Sequence, residues 1–252
     1  WDEDGNIVDA PAGLPGGQDL AWVRANAEWV FDNVLWGPTG PWDGWRAKLS
    51  ASALPPWIQG RYGFGKAKAD LRGYFPTGRL YGFALRVSAG QSFGLGGDEN
   101  PYRFLVGGED FTFNYHLNES NSGTDVSSMY FSELDLPLRG YRYYQFRGTK
   151  EIVANAEFRF PFVEELRFGI FLPTIRYLMG AVFVDAGTAW TSHRMEDQGG
   201  IGMGWGVRMN LGAFILKWSK AWPLTQPSGA PGNVQPKNFV DGVHYWSLGA
   251  DF

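Results

Sequence analysis

The stretch that decides the fold is LRGY at residues 138–141, which lies in a long polar, glycine-rich segment without a clear strand of its own. Two carboxylates follow along the chain, Glu157 and Asp185, and each belongs to a strand that is otherwise apolar on one face. A guanidinium can bind two carboxylates at once and so fix a loop against a sheet. We therefore predict that the loop folds back into a β-barrel, where Arg139 is clamped between Glu157 and Asp185.

Alternation of apolar and polar residues recurs on both sides of this loop. The clearest example is 200–211, where Ile201, Met203, Trp205, Val207, Met209 and Leu211 alternate with Gly202, Gly204, Gly206, Arg208 and Asn210. A period of two is typical of a strand with two different faces. We count nine such strands, near 21–32, 45–53, 61–75, 79–90, 152–162, 182–190, 200–211, 214–222 and 243–252. We expect Ile201, Met203, Trp205, Val207, Phe158 and Phe160 to point to lipid, and Gly202, Gly204, Arg208 and Asn210 to point inside.

Composition favours a membrane barrel over a soluble β domain. The chain has 252 residues, 17% aromatic residues, 12 Trp and no Cys, which excludes a disulfide framework or a thiolate metal site. A net charge of −4 argues against a nucleic-acid binder. The chain contains no run of 18 apolar residues, so no transmembrane helix is predicted. Aromatic residues near strand ends suit the interfacial girdles of outer-membrane barrels: Trp22, Trp45, Tyr81, Trp190, Trp222 and Trp246.

Three segments break the alternation. Residues 91–150 form a connection of a length that is usually functional, and its many aromatic residues weigh against a disordered surface loop. Residues 35–44 (LWGPTGPWDG) predict a turn. Residues 163–180 are apolar but aperiodic, and we predict a segment that lies at the membrane interface or under a partner, at the end opposite the long loop.

Five blocks in order resemble the Omp85 superfamily, also called surface-antigen D15 or BamA-like barrels. They cover roughly residues 60–252 and comprise LRGY at 138–141, NAEFRFP at 155–161, FVDAGTAW at 183–190, the segment 202–224 that ends in AWPL, and the terminal GADF at 249–252. Two further features, the apolar insert at 163–180 and the block at 31–44, are similar to the subgroup in which the barrel follows a TolB-like propeller.

The resemblance implies an all-β, transmembrane antiparallel β-barrel, of which this chain supplies about nine C-terminal strands of sixteen. It implies that Arg139, with Gly140 and Tyr141, reaches into the lumen and pairs with Glu157 and Asp185. It also implies an outer-membrane β-signal at the last strand, formed by Trp246, Leu248, Gly249, Ala250 and Phe252.

The resemblance also implies a place in the bacterial outer membrane. With Phe252 in the periplasm, residues 1–19 form an extracellular tail, 20–252 form the barrel, and 91–150 form a long extracellular loop that folds into the lumen. We then expect about seven more strands upstream of Trp1 or on another chain, and we expect the edge strand at 21–32 to pair with that missing half.

Alternative chemistry finds little support in the sequence. His116, His193 and His244 lack metal-site spacing, and the glycines from Gly200 to Gly206 follow strand period without a phosphate-binding helix. The acidic residues near 98–100 are better explained as a loop than as a calcium site. Glu157 and Asp185 could form an acid/base pair, but an arginine between them keeps both ionised. We expect no enzymatic activity, no cofactor and no metal.

Three functions remain open. The first is an Omp85-type barrel that inserts or translocates proteins, with outer-membrane lipid and client outer-membrane proteins as partners. The second is a membrane anchor or structural barrel that holds a periplasmic domain or a partner complex. The third is a passive pore. Upstream POTRA repeats would favour translocation, and an upstream propeller or enzyme would favour anchoring.

Overall fold

The computed structural model describes residues 23–55, 63–95, 100–109, 131–135, 137–166, 175–191, 199–211, 215–225 and 242–248. Its strands are β1 (Ala25–Asp32), β2 (Leu35–Gly37), β3 (Gly40–Leu54), β4 (Phe64–Pro76), β5 (Gly82–Gly94), β6 (Arg103–Val106), β7 (Ser132–Asp135), β8 (Phe146–Gly148), β9 (Lys150–Leu166), β10 (Ile175–Trp190), β11 (Gly200–Asn210), β12 (Ile215–Pro223) and β13 (Val243–Leu248). No helix among these residues has the length and apolarity needed to cross a membrane.

One large antiparallel sheet contains all nine strands that the alternation predicted. Its order is β1-β3-β4-β5-β9-β10-β11-β12-β13, and β2 pairs with β3 beside this path. Strands β5 and β9 are joined by the long loop and lie next to each other in the sheet. They pair from Gly82↔Arg159 to Gln91↔Lys150. Within the described residues, the two outermost strands β1 and β13 do not pair with each other, and so the sheet is not closed.

The two faces of the sheet differ in polarity as the sequence predicted. On β11, Ile201, Met203 and Trp205 are exposed at 39%, 38% and 40%, whereas Gly202 and Arg208 are buried. The outward faces of β3, β4, β5 and β10 are also apolar and exposed, with Leu49, Leu71, Leu85, Val87, Val182 and Val184. Phe158 and Phe160 stack on each other on that same face, with ring centroids 6.0 Å apart.

The sheet has two ends, which we name by their connections. At the loop end, β5 leaves the sheet toward the long connection and β9 returns from it. At the turn end, β4 and β5 are joined by a tight turn in which Thr77 N donates to Tyr81 O over 2.8 Å.

The long connection contains a small sheet of its own, with the order β7-β6-β8. The alternation, which shows no clear strand in this connection, did not reveal these three short strands. Its apolar side chains join inward-facing residues of the large sheet in one buried cluster, which contains Leu54, Phe64, Tyr102, Phe104, Val106, Leu138, Tyr141, Phe146, Val153 and Ala189. Four aromatic residues of this connection, Tyr102, Phe104, Tyr141 and Phe146, thus help to anchor it.

The expectation of an interfacial segment at 163–180 is corrected by the strand bounds. β9 continues to Leu166 and β10 begins at Ile175, which pair with each other. Only residues 167–174 of the predicted segment lie outside the described residues. The alternation fails here because Tyr177 has a left-handed backbone (φ 57°) and the registers of β10 shift beside it. A bulge moves later side chains to the opposite face.

The predicted turn at 35–44 is instead a short hairpin. Residues 35–37 pair with residues 40–43, and the turn lies between them at Pro38 and Thr39. The Pro and Gly residues correctly predicted a turn, but they did not reveal that the residues on either side of it pair as strands. We call residues 35–43 the end hairpin.

Candidate functional site

The LRGY segment at 138–141 runs along the inner face of the sheet. Leu138 is fully buried and exchanges backbone hydrogen bonds of 2.8 and 3.0 Å with Gly108. Gly140 has φ +95°, and a Cβ there would lie 2.9 Å from the backbone of Trp222. Glycine is the residue that accepts both this backbone and this close approach. The segment can therefore follow the wall of the sheet closely enough for Arg139 to reach the strands behind it.

Arg139 contacts both carboxylates expected from the sequence. Its Nε and Nη2 donate to Asp185 over 2.6 and 2.9 Å, and its Nη1 lies 3.3 Å from Glu157 Oε2. Its backbone N also donates to Asp185, over 3.1 Å. The guanidinium stacks 3.3 Å above the ring centroid of Phe183. We call Arg139, Glu157 and Asp185 the Arg139 clamp.

The clamp is buried, and this decides its electrostatics. Arg139 is 2% exposed and both carboxylates are 1% exposed or less. Burial lowers the pKa of Arg139, but Asp185 and the other nearby carboxylates outweigh burial and leave the pKa above its ordinary value. The guanidinium thus stays charged, and the geometry suits a structural attachment rather than proton transfer.

Glu157 is shared by two further arginines that the sequence analysis did not assign to the clamp. Arg159 Nε donates to Glu157 over 2.7 Å, and Arg208 Nη2 donates to the same oxygen. The alternation already placed both arginines on the inner face. It could not show that they converge, because Arg208 lies 51 positions from Glu157.

Tyrosine hydroxyls attach the same segment to the last strands. Tyr245 on β13 accepts a hydrogen bond from Gly140 N (3.0 Å) and donates to Tyr141 O (2.9 Å). Tyr141 OH accepts from Ile201 N over 2.9 Å and lies 2.7 Å from the carbonyl oxygen of Thr225. The segment is therefore bonded to β9, β10, β11 and β13, and Tyr245 is a site residue that the sequence analysis missed.

The glycines on the inner face of β11 make room for this segment. A Cβ at Gly202 would collide with the carbonyl oxygen of Arg139, and a Cβ at Gly200 would lie 2.7 Å from the ring of Tyr141. The glycine spacing is therefore explained by packing of the loop and not by a phosphate site.

A second ionic cluster, absent from the sequence-based prediction, holds the other part of the loop. Lys68 Nζ on β4 lies 3.2 Å from Glu133, 3.1 Å from Asp135 and 3.2 Å from Glu151. Glu133 and Asp135 belong to loop strand β7, and Glu151 belongs to β9. We call the cluster the Lys68 network; it contains four cations and four anions, namely Lys66, Lys68, Arg72, Arg86, Asp70, Glu133, Asp135 and Glu151.

The remaining predicted site residues are only partly described. Trp246 lies on the outer face of β13 and is 46% exposed, and Leu248 ends that strand. Gly249, Ala250 and Phe252 lie outside the described residues, as do His116, His193, Asp98 and Glu99. His244 stacks on Trp218 on the outer face, with centroids 5.7 Å apart. Among the described residues, no group of three His, Cys, Asp or Glu side chains is arranged to hold a metal.

An antiparallel sheet with an exposed apolar outer face and a polar inner face filled by a loop is the wall of a transmembrane β-barrel. The Omp85 superfamily domain model matches residues 24–252. The chain therefore belongs to the Omp85 superfamily, and it is a protein of the bacterial outer membrane.

Comparison with solved structures supports the same fold. The crystal structure of BamA from Haemophilus ducreyi lacking POTRA domains 1-3 aligns with a TM-score of 0.61 and 15% sequence identity. The alignment covers 88% of this chain and 41% of that chain, so the present chain spans about two fifths of its length. No curated protein sequence matches the chain.

Proposed function

We propose that this chain forms part of an outer-membrane barrel that inserts or translocates other proteins, without catalysing a reaction. The observation that carries the proposal is the attachment of the loop: Arg139 is buried against the inner wall and bound to two strands at once, by Asp185 on β10 and Glu157 on β9. A loop of this length held so firmly in the lumen occupies the path that a passive pore would leave open.

The attachment of the loop also reaches an outermost strand of the sheet. Tyr245 on β13 is bonded to both Gly140 and Tyr141, and β13 is paired along one edge with β12. We propose that the loop positions β13 from inside the lumen, so that its other edge can exchange partners while the strand stays in place. Exchange of edge pairing is a physical route by which a client strand could enter a barrel wall.

The opposite edge of the sheet leads to a proposal about the rest of the barrel. All residues of β1 are exposed, although its outward Ala25, Ala27, Trp29 and Phe31 continue the apolar face of β3. Unpaired backbone groups in lipid are costly. We propose that β1 pairs with further wall strands of a barrel of sixteen, that residues 20–252 form the wall, and that residues 91–150 are an extracellular loop folded into the lumen.

A second candidate function is a membrane anchor that holds a periplasmic domain or a partner complex. The filled lumen favours it, because the loop enters from the loop end and the end hairpin contacts β9 and β11 at the turn end. A barrel packed at both ends would suit a static support equally well.

Reconstitution in liposomes separates the two functions. The protein is incorporated into vesicles, an unfolded outer-membrane barrel protein is added, and its folding is followed by protease resistance and by the mobility of unheated samples on gels. An insertion barrel accelerates client folding relative to empty vesicles, and Arg139→Ala reduces that acceleration. Arg46→Ala is the matched control, because Arg46 is 42% exposed and pairs with Asp32 away from the loop. Client folding at the rate of empty vesicles would exclude insertion and favour the anchor.

A further inference from the structure

The end hairpin does not extend away from the barrel as a short link in water would. Thr39 at its turn is 4% exposed, and Gly40 and Pro41 are also buried. Short turns at one end of outer-membrane barrels lie at the water interface, where polar backbone needs no protein partner. Burial of this turn therefore means that it is folded toward the inside of the sheet.

The contacts of the turn confirm its direction. Arg159 Nη1 on β9 donates to Pro41 O over 2.6 Å, and Asn210 Nδ2 on β11 donates to Pro38 O. In the sheet, β4 and β5 lie between β3 and β9, and β10 lies beyond β9 before β11. The turn therefore crosses the lumen and bonds to strands that are three and five positions away in the sheet.

The bend that aims the hairpin inward is built into the backbone. Gly44 has φ +103°, and a Cβ there would lie 2.6 Å from Asn33 O. Next to it, Trp45 N donates to Asn33 Oδ1 over 2.6 Å and Asn33 N donates to Trp45 O over 3.1 Å. Left-handed backbone without strain requires glycine. The hairpin thus leaves the wall at a defined hinge rather than by local disorder.

The contact between Arg159 and the hairpin belongs to the same chain of bonds as the Arg139 clamp. Arg159 donates through Nε to Glu157 Oε1 (2.7 Å) and through Nη1 to Pro41 O (2.6 Å). Arg139 of the loop lies 3.3 Å from the other oxygen of Glu157. Glu157 and Arg159 therefore connect the loop, which enters from one end of the lumen, to the hairpin at the other end.

We propose that the end hairpin is a plug that closes the lumen at the turn end, and that its closure is coupled to docking of the loop through Glu157 and Arg159. Removing Arg139 leaves Glu157 free to reorient toward Arg208 and Arg159, which changes the position from which Arg159 holds Pro41. Coupling between two sites is reciprocal, because each state stabilises the other by the same free energy. Opening the hairpin must therefore loosen the loop to the same degree that undocking the loop loosens the hairpin.

Cysteine labelling tests both parts, and the absence of Cys from the chain makes single reporters specific. Thr39→Cys reports on the hairpin, and Leu105→Cys, at a loop position that is 2% exposed, reports on the loop. The protein in vesicles or detergent is treated with a membrane-impermeant maleimide, and folding is checked by the mobility of unheated samples on gels. Both reporters are expected to react slowly in the parent protein.

The coupling is tested by one variant at each end. Arg139→Ala is expected to raise the labelling rate of Thr39→Cys by at least about 5-fold, and Asn210→Ala is expected to raise that of Leu105→Cys by a similar factor. Arg46→Ala is the control and is expected to leave both rates unchanged. Asn210→Ala removes the hydrogen bond to Pro38 O and leaves Glu157 and Arg159 in place, so it loosens the hairpin without altering the residues that carry the coupling.

Two results would overturn the inference. Rapid labelling of Thr39→Cys in the folded parent protein would show that the hairpin does not close the lumen. Slow labelling of Thr39→Cys in Arg139→Ala, together with rapid labelling of Leu105→Cys in the same background, would show that the loop moves without the hairpin. Neither outcome depends on a client protein, so the test is independent of the insertion activity.

Discussion

The Arg139 clamp and the Lys68 network hold the same loop, but they differ in their exposure to water. In the clamp, the side-chain exposure is 3% for Arg139 and 0% for Glu157 and Asp185. In the Lys68 network it ranges from 0% for Glu151 and 1% for Asp135 at the centre to 14% for Lys66 and 28% for Glu133 at the edge. A charge that loses its partner inside the clamp cannot be solvated, whereas one at the edge of the Lys68 network can.

The two clusters also differ in the way that charge is distributed. In the clamp, three arginines donate hydrogen bonds to the single carboxylate of Glu157. Asp185 accepts two of the three side-chain hydrogen bonds that Arg139 donates. In the Lys68 network, Glu133 has two lysine partners and Asp135 has both Lys68 and Arg86. Loss of Arg139 therefore removes the counter-charge of Asp185, whereas Glu133 and Asp135 each keep a second cation when Lys68 is lost.

Arg139→Ala is expected to have the largest effect. It leaves Asp185 and Glu157 buried with fewer counter-charges, and breaking a buried ion pair costs about 3–5 kcal/mol. The measurement is the free energy of unfolding in urea, together with protease cleavage of residues 91–150. Asp185→Asn in the same chain should recover part of the loss, because it removes the uncompensated charge. Protease resistance of the loop equal to that of the parent would contradict the clamp.

Gly202→Val tests whether the inner face of β11 is shaped for the clamp. The added side chain meets the carbonyl oxygen of Arg139, which is backbone and cannot rotate away. We expect about 1–3 kcal/mol of destabilisation from overpacking, measured as the loss of loop protection in the Leu105→Cys reporter. Gly199→Ala is the matched control, since nothing lies within 4 Å of a Cβ at that position. Equal effects of the two substitutions would argue against tight packing of the loop on β11.

Lys68→Met sharpens the comparison by removing the centre of the second cluster. Lys66 and Arg86 continue to pair with Glu133 and Asp135, whereas the buried Glu151 loses the cation that it pairs with. We expect a cost of about 1–2 kcal/mol, in the range for one buried polar group left unsatisfied. Lys66→Met, at a more exposed site, should cost less than about 1 kcal/mol. A loss as large as that of Arg139→Ala would show that both clusters are equally important.

Acidification should loosen the loop through strand β7, with the smallest effect of the four. Burial raises the pKa of Asp135, but Arg86 and Lys68 outweigh burial and leave the pKa lowered; Lys68 and Lys66 lower the pKa of Glu133 in the same way. A carboxyl whose pKa is lower in the folded state stabilises the fold above its unfolded pKa of about 4, and this contribution is lost as the pH falls through the lower value.

Maleimide reacts with the thiolate, so each rate is divided by that of a free thiol at the same pH. The normalised labelling rate of Leu105→Cys is expected to be constant near neutral pH and to rise below about pH 4. Exchange of Glu133 for Gln and of Asp135 for Asn should weaken the pH dependence, because the groups that titrate are removed. A normalised rate that falls on acidification would give the opposite sign and refute the assignment.

Much of the fold could be predicted from the sequence because the large sheet repeats one simple rule. Alternation on β11 and on the strands beside it places lipid-facing and lumen-facing residues correctly, and this also set Glu157 and Asp185 on the inner face. The prediction failed where the backbone departs from that rule. The left-handed Tyr177 hid the beginning of β10, and the hinge at Gly44 hid the end hairpin.

The amino-acid sequence by itself determined the nine long strands of the large sheet, the polarity of their faces and the superfamily, because the residues of such a strand alternate between two environments. The short strands β2, β6, β7 and β8 were not predicted. Only the tertiary structure decided which charges meet. Lys66 and Glu133 are 67 positions apart, and Arg159 and Pro41 are 118 positions apart. Residues so far apart in sequence are brought together by the order of strands in the sheet and by its curvature. Neither can be read from a local pattern of residues. The clamp was predictable because a motif marks it, whereas the Lys68 network and the end hairpin carry no motif.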